Sequence, residues 1–383
     1  MSELSYLEKL LDGVEVEWLS LGDNSYFEIA NNGRKPVKSS LRIAGETPYY
    51  GANNIQDLVE GYTHDGEYVL IAEDGSASLE QYSIQYTKGK FWANNHVHVV
   101  RGRNLVDSRY LYHYLCIVNF IPFLTGGTRA KLTKGQLVEI TVPIPCPNNP
   151  EKSLAIQSEI VRILDKFTAL TTELTAELIA RKKQYNYYRD QLLSFEEREV
   201  EWKTLGDVLH LRAGQHISAS NIASRKTMKC PYPCFGGNGV RGFVKDKSHS
   251  GAYLLIGRQG ALCGNVQRMK GEFYATEHAV VVTASEVIDI DWAFHILTVM
   301  NLNQYASQSA QPGLAVGNIQ RLKIPLPPIK YQRNVAETLD KFDTLTNSIS
   351  EGLPREIELR QKQYEYYRDL LFSFLKHETT VVN

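Results

Sequence analysis

Apolar positions along residues 149–198 recur with the spacing of a coiled coil. The repeat advances by alternating steps of about four and three residues, which keeps one stripe of side chains on one face of a helix. Asn149, Pro150 and Glu151 supply a cap, a first-turn proline and an acidic first turn. The pattern therefore predicts a long helix. Its stripe consists of Ile160, Leu164, Phe167, Thr171, Leu174, Leu178, Arg181, Tyr185, Tyr188, Leu192 and Phe195.

A second stripe of the same kind covers residues 329–376. An extra step of four residues interrupts it, and such a stutter locally unwinds a supercoil. Gly352 and Pro354 lie at this point, so we expect a kink or short break near Leu353. The stripe consists of Val335, Leu339, Phe342, Thr346, Ile349, Leu353, Glu356, Arg360, Tyr364, Tyr367, Leu371 and Phe374.

The two predicted helices belong to an internal duplication. Residues 181–195, RKKQYNYYRDQLLSF, return at 360–374 as RQKQYEYYRDLLFSF. VEWLSLGD at 16–23 returns as VEWKTLGD, and LDKFTALT at 164–171 returns as LDKFDTLT. Each copy has the same order: a first strand, a variable body, a proline-rich junction and a long helix. The loops of the two bodies differ while their apolar positions match.

These patterns predict a mixed α/β (α+β) protein with two similar globular bodies. The first body spans 1–148 and the second spans 199–328, while the helices span 149–198 and 329–376 and a tail spans 377–383. If the helices pair antiparallel as a coiled coil, the copies are related by an internal pseudo-twofold axis. The simpler alternative is two separate surface helices, each packed on its own body.

An inverted pair of similar bodies suits a ligand that itself has twofold symmetry. Duplex DNA is such a ligand, because symmetric proteins bind two half-sites at a fixed separation along it. A paired helix of about 40 residues, at about 1.5 Å per residue, would be a spacer of roughly 60 Å. Bipartite DNA is therefore the ligand that this layout favours.

Composition narrows the class of protein. The chain has 383 residues, 43% hydrophobic and 22% charged, which fits two soluble domains with connectors. No apolar run is long enough for a membrane span and the N-terminal stretch lacks a signal-peptide core, so we expect a cytoplasmic protein. Five cysteines suggest reduced thiols, and Cys230 and Cys234 have no second pair at zinc-ligand spacing. The net charge of −1 excludes a bulk electrostatic DNA binder and leaves only a locally basic face.

Candidate enzyme motifs have better explanations as turns or coincidences. A GxGxxG pattern at 237–242 follows CPYPC rather than an apolar strand and precedes no helix signal, so it does not indicate a dinucleotide site. Asp190, Glu201 and Lys203 have nuclease-like spacing, but Asp190 belongs to the repeated helix motif. There is no P-loop, and CPNNPE is not the Asn-Pro-Pro-aromatic element associated with adenine methylation. We therefore expect no catalytic residues and no metal site.

The repeated helices and proline-rich junctions resemble those of the DNA-specificity subunits of Type I restriction-modification systems. The resemblance extends over essentially the whole chain and rests on LDKF together with QYxYYRDxLLxF in both copies. It implies two target-recognition domains, each binding one half of a bipartite, asymmetric site, with the helix pair as a ruler. It also implies two modification (methyltransferase) subunits docked on the helices, and restriction subunits. S-adenosylmethionine, ATP and Mg would then belong to those partner subunits, and this chain would need no cofactor.

Base recognition requires hydrogen-bonding side chains on loops that can enter a groove. Such residues concentrate where the two bodies diverge, although many could equally be solvated loop or turn residues. Arg129, Lys131, Arg241, Arg258 and Gln259 are the strongest individual candidates. His96 and His278 occupy equivalent positions, which favours a structural role or a phosphate contact. The DNA-binding candidates are Asn53, Asn54, Ser76, Ser78, Asn94, Asn95, His96, Thr128, Arg129, Lys131, Asn238, Arg241, Arg258, Gln259, Thr276, His278, Ser309 and Gln311.

The helix residues form a separate set of candidates for helix pairing and partner docking. Aromatic pairs could be mistaken for a platform that stacks single-stranded bases, but most of them lie on the apolar stripe. Tyr187 and Tyr366 lie off it and are therefore candidates for docking a partner subunit. The full set is Leu164, Phe167, Tyr185, Tyr187, Tyr188, Leu192, Leu339, Phe342, Tyr364, Tyr366, Tyr367 and Leu371.

Two other classes of function stay open at this point. One is a protein–protein assembly scaffold whose bodies bind proteins and whose helices oligomerise it. The other is an autonomous DNA-modifying enzyme. Salt-dependent binding to one bipartite duplex would distinguish the DNA-recognition function from the scaffold.

Overall fold

A computed structural model describes residues 13–126, 130–260, 262–308 and 312–373. The chain divides into two compact units. The first unit combines residues up to Leu174 with residues from Ile357 onward, and the second unit is Thr175–Glu356. The first unit is therefore built from two segments that are far apart in the sequence.

The first unit contains a six-stranded mixed sheet and a separate two-stranded sheet. The larger sheet has the order β2-β7-β5-β6-β3-β4, with β3 parallel to β6, and the smaller one pairs β1 with β8. The strands are β1 (Val16–Ser20), β2 (Phe27–Ile29), β3 (Ala44–Tyr50), β4 (Ile55–Val59), β5 (His64–Ala72), β6 (Ile84–Ala93), β7 (Val97–Gly102) and β8 (Thr141–Pro145). The short helices of the body are α1 (Ser108–Leu115) and α2 (Lys134–Leu137).

Strand β5 shows why this sheet is covered on both faces. Its residues Val69, Leu70 and Ile71 are fully buried, a continuous apolar run typical of a central strand. Side chains alternate between the faces of a strand. Accordingly, Val69 and Ile71 pack in the large core with Tyr110 of α1, while Leu70 packs with Phe91 on the opposite face.

The second unit repeats this framework. Its six-stranded sheet has the order β10-β15-β13-β14-β11-β12, with β11 parallel to β14, and β16 pairs with β9. Leu254 and Ile256 of β13 pack in the large core, and Leu255 packs on the other face. The elements are β9 (Glu201–Thr204), α4 (Leu205–Val208), β10 (Leu209–Ala213), β11 (Tyr232–Gly236), β12 (Gly239–Val244), β13 (His249–Gly257), β14 (Val266–Ala275), β15 (Ala279–Ala284), α5 (Ile290–Val299), α6 (Val316–Gln320) and β16 (Lys323–Leu326).

Three long helices carry the two apolar stripes. They are α3 (Pro150–Leu192), α7 (Ile329–Asn347) and α8 (Gly352–Leu371). Asn149 caps α3 as expected, since its Oδ1 accepts from the amide of Lys152 at 3.0 Å. Residues 348–351 separate α7 from α8, and Gly352 has a left-handed φ of +77°. Ile349 falls in this break and is 85% exposed, so its predicted place on the apolar stripe is wrong.

Aromatic contacts show how the helices pair inside each unit. In the second unit Tyr188 stacks on Phe342, with ring centroids 6.0 Å apart, while Phe195 meets Tyr331 at 5.8 Å. Residue numbers rise along α3 as they fall along α7, so this pair is antiparallel. In the first unit Phe167 stacks on Tyr367 at 5.3 Å. In the repeat, Phe167 corresponds to Phe342 and Tyr367 corresponds to Tyr188. Helix α3 therefore supplies the phenylalanine of this pair in the first unit and the tyrosine in the second.

Within the described ranges, no helix combines the length and the apolar character needed to cross a bilayer.

Candidate nucleic-acid interface

Four loops meet at one edge of the sheet in the first body. They are the β3–β4 turn at 51–54, the β5–β6 connection at 73–83, the β6–β7 turn at 94–96, and the segment around 125–131. Asn53 joins the first two loops, because its amide donates to the Gly75 carbonyl at 2.9 Å and accepts from the Ala77 amide at 2.8 Å. An isolated bridge between Asp74 and Lys131 joins the second and fourth.

A cluster of charged side chains holds this edge together. The Glu73 carboxylate accepts from Arg34 at 2.5 Å and pairs with Lys131 at 2.9 Å. Although burial opposes ionisation, the hydrogen bonds from Arg34 and Lys131 hold the pKa of Glu73 below its ordinary value. The same hydrogen bond raises the pKa of Lys131. Lys131 therefore stays cationic at the loop edge, where it is paired with Glu73.

The predicted residues of the first body divide into loop-building and outward-facing groups. Ser76 bonds to Ser78 and Ser83 inside its loop, and Ser78 caps the Gln81 amide. Asn94 is buried and accepts from the His96 amide at 2.8 Å. Together with Asn53, these side chains shape loops. Asn54, Asn95, His96 and Lys131 are exposed, with His96 bonded to Asp74 at 2.5 Å. Thr128 and Arg129 lie outside the described residues.

The second body brings the equivalent loops together. The amide of Gly260 donates to the Pro312 carbonyl at 3.1 Å, and Gln259 forms a bridge with Gly313. Thr276 is fully buried and its hydroxyl accepts from the His278 amide at 3.4 Å, which is the role that Asn94 has in the first body. Thr276 was a candidate for DNA binding, but its buried side chain shapes the loop instead.

Arg258 faces inward at this second edge. Its guanidinium donates to the carbonyl of Glu277 at 3.2 Å and lies 3.5 Å from that of Leu314. Both acceptors are main-chain atoms of neighbouring loops, so Arg258 fixes loop positions. His278 is partly buried, and its Nε2 lies 3.4 Å from the Glu277 carboxylate. Ser309 and Gln311 lie outside the described residues.

Three predicted residues of the second body face outward. Asn238 lies at the tip of the β11–β12 hairpin, and Arg241 and Gln259 flank it; all three are exposed. Their side chains form no hydrogen bond with residues in the described ranges. They are therefore available donors on one loop edge.

Equivalent positions at the centres of the two edges hold side chains of opposite charge. The Leu132 amide donates to the Glu73 carbonyl at 2.8 Å, and the Leu314 amide donates to the Arg258 carbonyl at the same distance. Glu73 and Arg258 therefore occupy equivalent positions. A carboxylate accepts hydrogen bonds and a guanidinium donates them, so the two loop edges are organised around opposite chemistry.

Sequence reasoning missed a basic, aromatic cleft beside the first edge. The cleft has a volume of about 540 Å³, and its lining includes Lys35, Lys38, Arg42, Tyr49 and Trp92. The Arg42 guanidinium lies 4.1 Å from the Tyr49 ring centroid. The sequence signal for this cleft is two lysines and an arginine within eight positions of the chain, but the aromatic residues that complete it lie on two different strands, β3 and β6.

A cleft of similar volume lies at the equivalent place in the second body. It measures about 590 Å³ and includes Tyr274, the counterpart of Trp92. Its lining also includes Asn221, Lys245 and Asp246, so it lacks the surplus of cations found in the first body. The two bodies therefore present different surfaces beside their loop edges as well as at them.

The candidate docking residues also separate by exposure. Leu164, Leu339 and Leu371 are fully buried and Tyr185 nearly so, which makes them core residues of their units. Phe167, Leu192, Phe342, Tyr364 and Tyr367 are partly buried against the helices or bodies. Tyr187 and Tyr366 are 61% and 57% exposed, and Tyr188 is 41% exposed.

No group of histidine, cysteine or acidic residues in the described ranges has a metal-binding arrangement.

A model of the Type I restriction modification DNA specificity domain matches the chain twice. The matched residues are 15–182 and 197–359, one match for each copy of the repeat. The chain belongs to the Type I restriction-modification DNA specificity family. This confirms the fold class and the family expected from the repeated helices, and the two matches coincide with the internal duplication.

Specificity subunits from bacteria are similar over nearly the full chain. The Type I restriction enzyme EcoprrI specificity subunit of Escherichia coli is 51% identical, covering 92% of this chain and 93% of that protein. A putative specificity subunit of Haemophilus influenzae is 46% identical, covering 97% and 98%. As a member of this family the chain is a DNA-recognition component, and the prediction of a non-catalytic subunit is confirmed.

Solved structures support the same fold. The Type I restriction-modification S subunit from M. genitalium superposes with a TM-score of 0.66 at 14% identity, covering 96% of this chain and 98% of that one. A chain from a structural study of complex assembly and conformational transition of the type I R-M system gives a TM-score of 0.52 at 13% identity, covering 94% and 96%.

Proposed function

We propose that this specificity-family chain recognises a bipartite, asymmetric duplex DNA site. Each body binds one half-site through its loop edge, and the helix pair acts as a ruler that sets the gap. The supporting observation is the exchange of Glu73 for Arg258 at equivalent positions of one repeated framework. Identical frameworks place the two edges alike, while the exchange shows how far their residues have diverged, so different outward-facing side chains give each edge its own base preference. The half-sites therefore differ in sequence.

Base contacts are assigned to the outward-facing donors of each edge. In the first body these are Asn54, Asn95, His96 and Lys131. In the second body they are Asn238, Arg241 and Gln259. The bonded side chains, such as Asn53 and Arg258, act indirectly by holding the loops in position.

The chain directs partner subunits to the site. These partners are two modification (methyltransferase) subunits that methylate adenine and restriction subunits that act as an ATP-dependent translocase and nuclease. S-adenosylmethionine, ATP and Mg belong to those partners, and the assembly works in the cytoplasm. Tyr187 and Tyr366 are equivalent, exposed helix residues and suit two copies of one docking subunit.

Mapping methylated adenines tests this function. The full chain is produced with the methyltransferase subunit of the same organism, and modified DNA is sequenced to obtain both half-sites and the gap. The double variant Arg241→Ala with Gln259→Ala should weaken binding to the cognate duplex by at least about thirtyfold, since it removes two base contacts that contribute about 1–3 kcal/mol each. Discrimination should fall only in the half-site bound by the second body.

The matched control is Arg321→Ala. Arg321 is an exposed arginine of the same body, at the end of α6 and outside the loop edge. It should leave discrimination at both half-sites unchanged. An assembly with no sequence preference would refute the function and favour a protein scaffold. Methylation or cleavage by the isolated chain would instead indicate an autonomous enzyme.

A further inference from the structure

Each body meets a long helix through a buried glutamine. In the first unit Gln157 of α3 is fully buried. Its Nε2 donates to the Leu105 carbonyl at 2.8 Å, and its Oε1 accepts from the Asp107 amide at 2.9 Å. Both partners are main-chain atoms just before α1, so one helix side chain holds the start of α1 by two bonds of fixed direction.

Helix α1 is held a second time about two turns further along α3. Asp107 caps α1 by accepting from the amides of Arg109 and Tyr110. Near the other end of α1, His113 is fully buried and its Nε2 lies 2.8 Å from Asp165 Oδ1. Arg109 Nε also donates to that oxygen at 2.8 Å. We call Gln157, His113 and Asp165 the first joint.

The two attachment points lie along one face of α3. Eight residues separate Gln157 from Asp165, which corresponds to about 12 Å of helix at about 1.5 Å per residue. Two points that far apart prevent α1 from pivoting on α3. A single attachment would leave that rotation free.

The second unit builds the same joint from its own residues. Gln332 of α7 is fully buried, accepts from the Asp289 amide at 2.8 Å and donates to the Val287 carbonyl at 3.1 Å. Asp289 caps α5 in turn. His295 Nε2 lies 2.8 Å from Asp340 Oδ1. We call Gln332, His295 and Asp340 the second joint.

In each joint an arginine also pairs with the aspartate, and the two arginines lie on different secondary-structure elements. Arg109, which bonds to Asp165, belongs to α1 itself. Arg268, which pairs with Asp340 at 2.7 Å, belongs to strand β14. The joint geometry is therefore the same in both units even though the residues around it have diverged.

Buried polar contacts of this kind determine orientation. Apolar packing between a body and its helix is non-directional and contributes mainly to stability. Buried hydrogen bonds weaken when donor and acceptor rotate out of line, and the buried groups left unsatisfied then destabilise the protein. The joints thus select one angle between each body and its helix from the range that apolar packing alone would allow.

We propose that the two joints are positioning elements that restrict the assembly to the one gap length set by the helix pair. The proposal rests on the proposed function. Each base pair added to B-DNA moves a half-site by about 3.4 Å and turns it by about 34° around the duplex. A body held at a fixed angle on its helix meets its half-site at one gap length only, whereas a body free to rotate follows the half-site to neighbouring lengths.

The test uses the full chain with its methyltransferase subunit and three duplexes. Each duplex carries both half-sites. The gap between the half-sites has the mapped length in the first duplex, one base pair fewer in the second and one base pair more in the third. Wild-type protein should prefer the mapped gap by more than about tenfold. Gln157→Met and Gln332→Met keep the side-chain length and remove the hydrogen bonds of each glutamine, including the two that hold the segment before α1 or α5. Each should reduce that preference by about threefold to tenfold, and the methylated half-site sequences should not change.

Asp165→Asn and Asp340→Asn provide milder variants in case a methionine variant fails to fold. Each keeps the shape of the side chain and weakens its bond to the histidine, so the gap preference should fall while the melting temperature stays close to wild type. Gln191→Met is the matched control, because Gln191 is an exposed glutamine of α3 outside either joint.

The possible outcomes distinguish this inference from the function beneath it. Folded joint variants that retain the wild-type gap preference would overturn the joints alone. So would folded variants that bind all three duplexes more weakly by the same factor, since that result indicates a merely structural role. A wild-type assembly without any half-site preference would overturn the proposed function, and this inference with it.

Discussion

Among the described residues, three histidines are almost completely buried, and burial dominates their chemistry. They are His98, His113 and His295, each at most 1% exposed. Burial lowers the pKa of all three, and the nearby carboxylates only partly oppose it. Asp165 faces His113 from α3, while Arg109 and Tyr364 flank it. The neutral imidazole is therefore the form that fits the folded protein.

This arrangement predicts that the protein loses stability in mild acid. A histidine whose pKa is lower when folded binds fewer protons than its unfolded counterpart. The free energy of unfolding should be constant above about pH 7 and should fall as the pH drops below about 6.5, the unfolded value. Each unit by which one pKa is lowered contributes about 1.4 kcal/mol. Urea unfolding between pH 5.5 and 8 measures the effect.

Replacement of single histidines locates the source of that pH dependence. His113→Gln removes one titrating group, so its unfolding free energy should vary less with pH than that of the wild type. His210→Gln is the control, because the imidazole of His210 is exposed. An unfolding free energy that does not change from pH 8 to 5.5 would rule out this account of the buried histidines.

The outward or inward direction of a loop side chain was the least predictable property of the residues. Asn53 looked like a base contact, but its partners Gly75, Ala77 and Ser83 come from a loop more than twenty positions away along the chain. Arg258 likewise bonds to loops that the sequence does not bring near it. The sequence pointed to loops that meet at one edge of each body, but only the folded contacts show whether each side chain faces inward or outward.

At the scale of elements, the helices were predictable and the sheets were not. The spacing around Leu164 and Leu339 located the helices because it depends on local periodicity. The order of the sheet strands depends on pairs remote in sequence, such as β2 with β7 and β3 with β6. Matching of the two copies still indicated that both bodies would share one framework, since apolar positions such as Leu70 and Leu255 coincide.

The turn between α7 and α8 depends on the absence of a side chain at Gly352. A Cβ there would contact the carbonyl oxygen of Thr344 and lie 2.7 Å from that of Leu345, and the φ of +77° disfavours any L side chain. Gly352→Ala should therefore lower the free energy of unfolding by roughly 1–3 kcal/mol. Urea denaturation followed by circular dichroism measures the change.

Gly317→Ala makes the matched comparison in α6. An added Cβ there meets no atom within 4 Å, and the glycine lies in a helix. The substitution should raise the free energy of unfolding by about 0.4–1 kcal/mol, because alanine favours helix and restricts the unfolded chain. Equal effects of the two substitutions would show that the left-handed turn is not under the constraint inferred here.

The net charge of the whole molecule limits how strongly it can bind DNA. The chain has 42 basic and 43 acidic residues for a net charge of −1, so its surplus of cations is local at best. Affinity for duplex DNA depends on the number of phosphates neutralised, and the logarithm of the binding constant falls with that of salt by about 0.9 per phosphate. The isolated chain should therefore bind weakly with a shallow salt slope.

Addition of the methyltransferase subunit should steepen that slope. We expect partner subunits to supply much of the phosphate contact while this chain supplies base contacts. Fluorescence anisotropy from 50 to 300 mM salt, roughly the range in which phosphate contacts weaken strongly, measures both slopes. A duplex of equal length with scrambled half-sites is the control. Tight, specific binding by the isolated chain at physiological salt would contradict this division of labour.

The discontinuous make-up of the first unit has a consequence for how the protein is made. Its core includes Leu164 from α3 and Leu371 from α8, so the body translated first lacks part of its interior until nearly all of the chain has been synthesised. The second unit, Thr175–Glu356, is complete earlier. At about 5–20 residues per second, roughly 10–40 s pass between the two contributions to the first core. During that interval the nascent first body exposes the apolar surface that α8 later covers, and such transiently exposed surface is prone to aggregation unless a chaperone protects it.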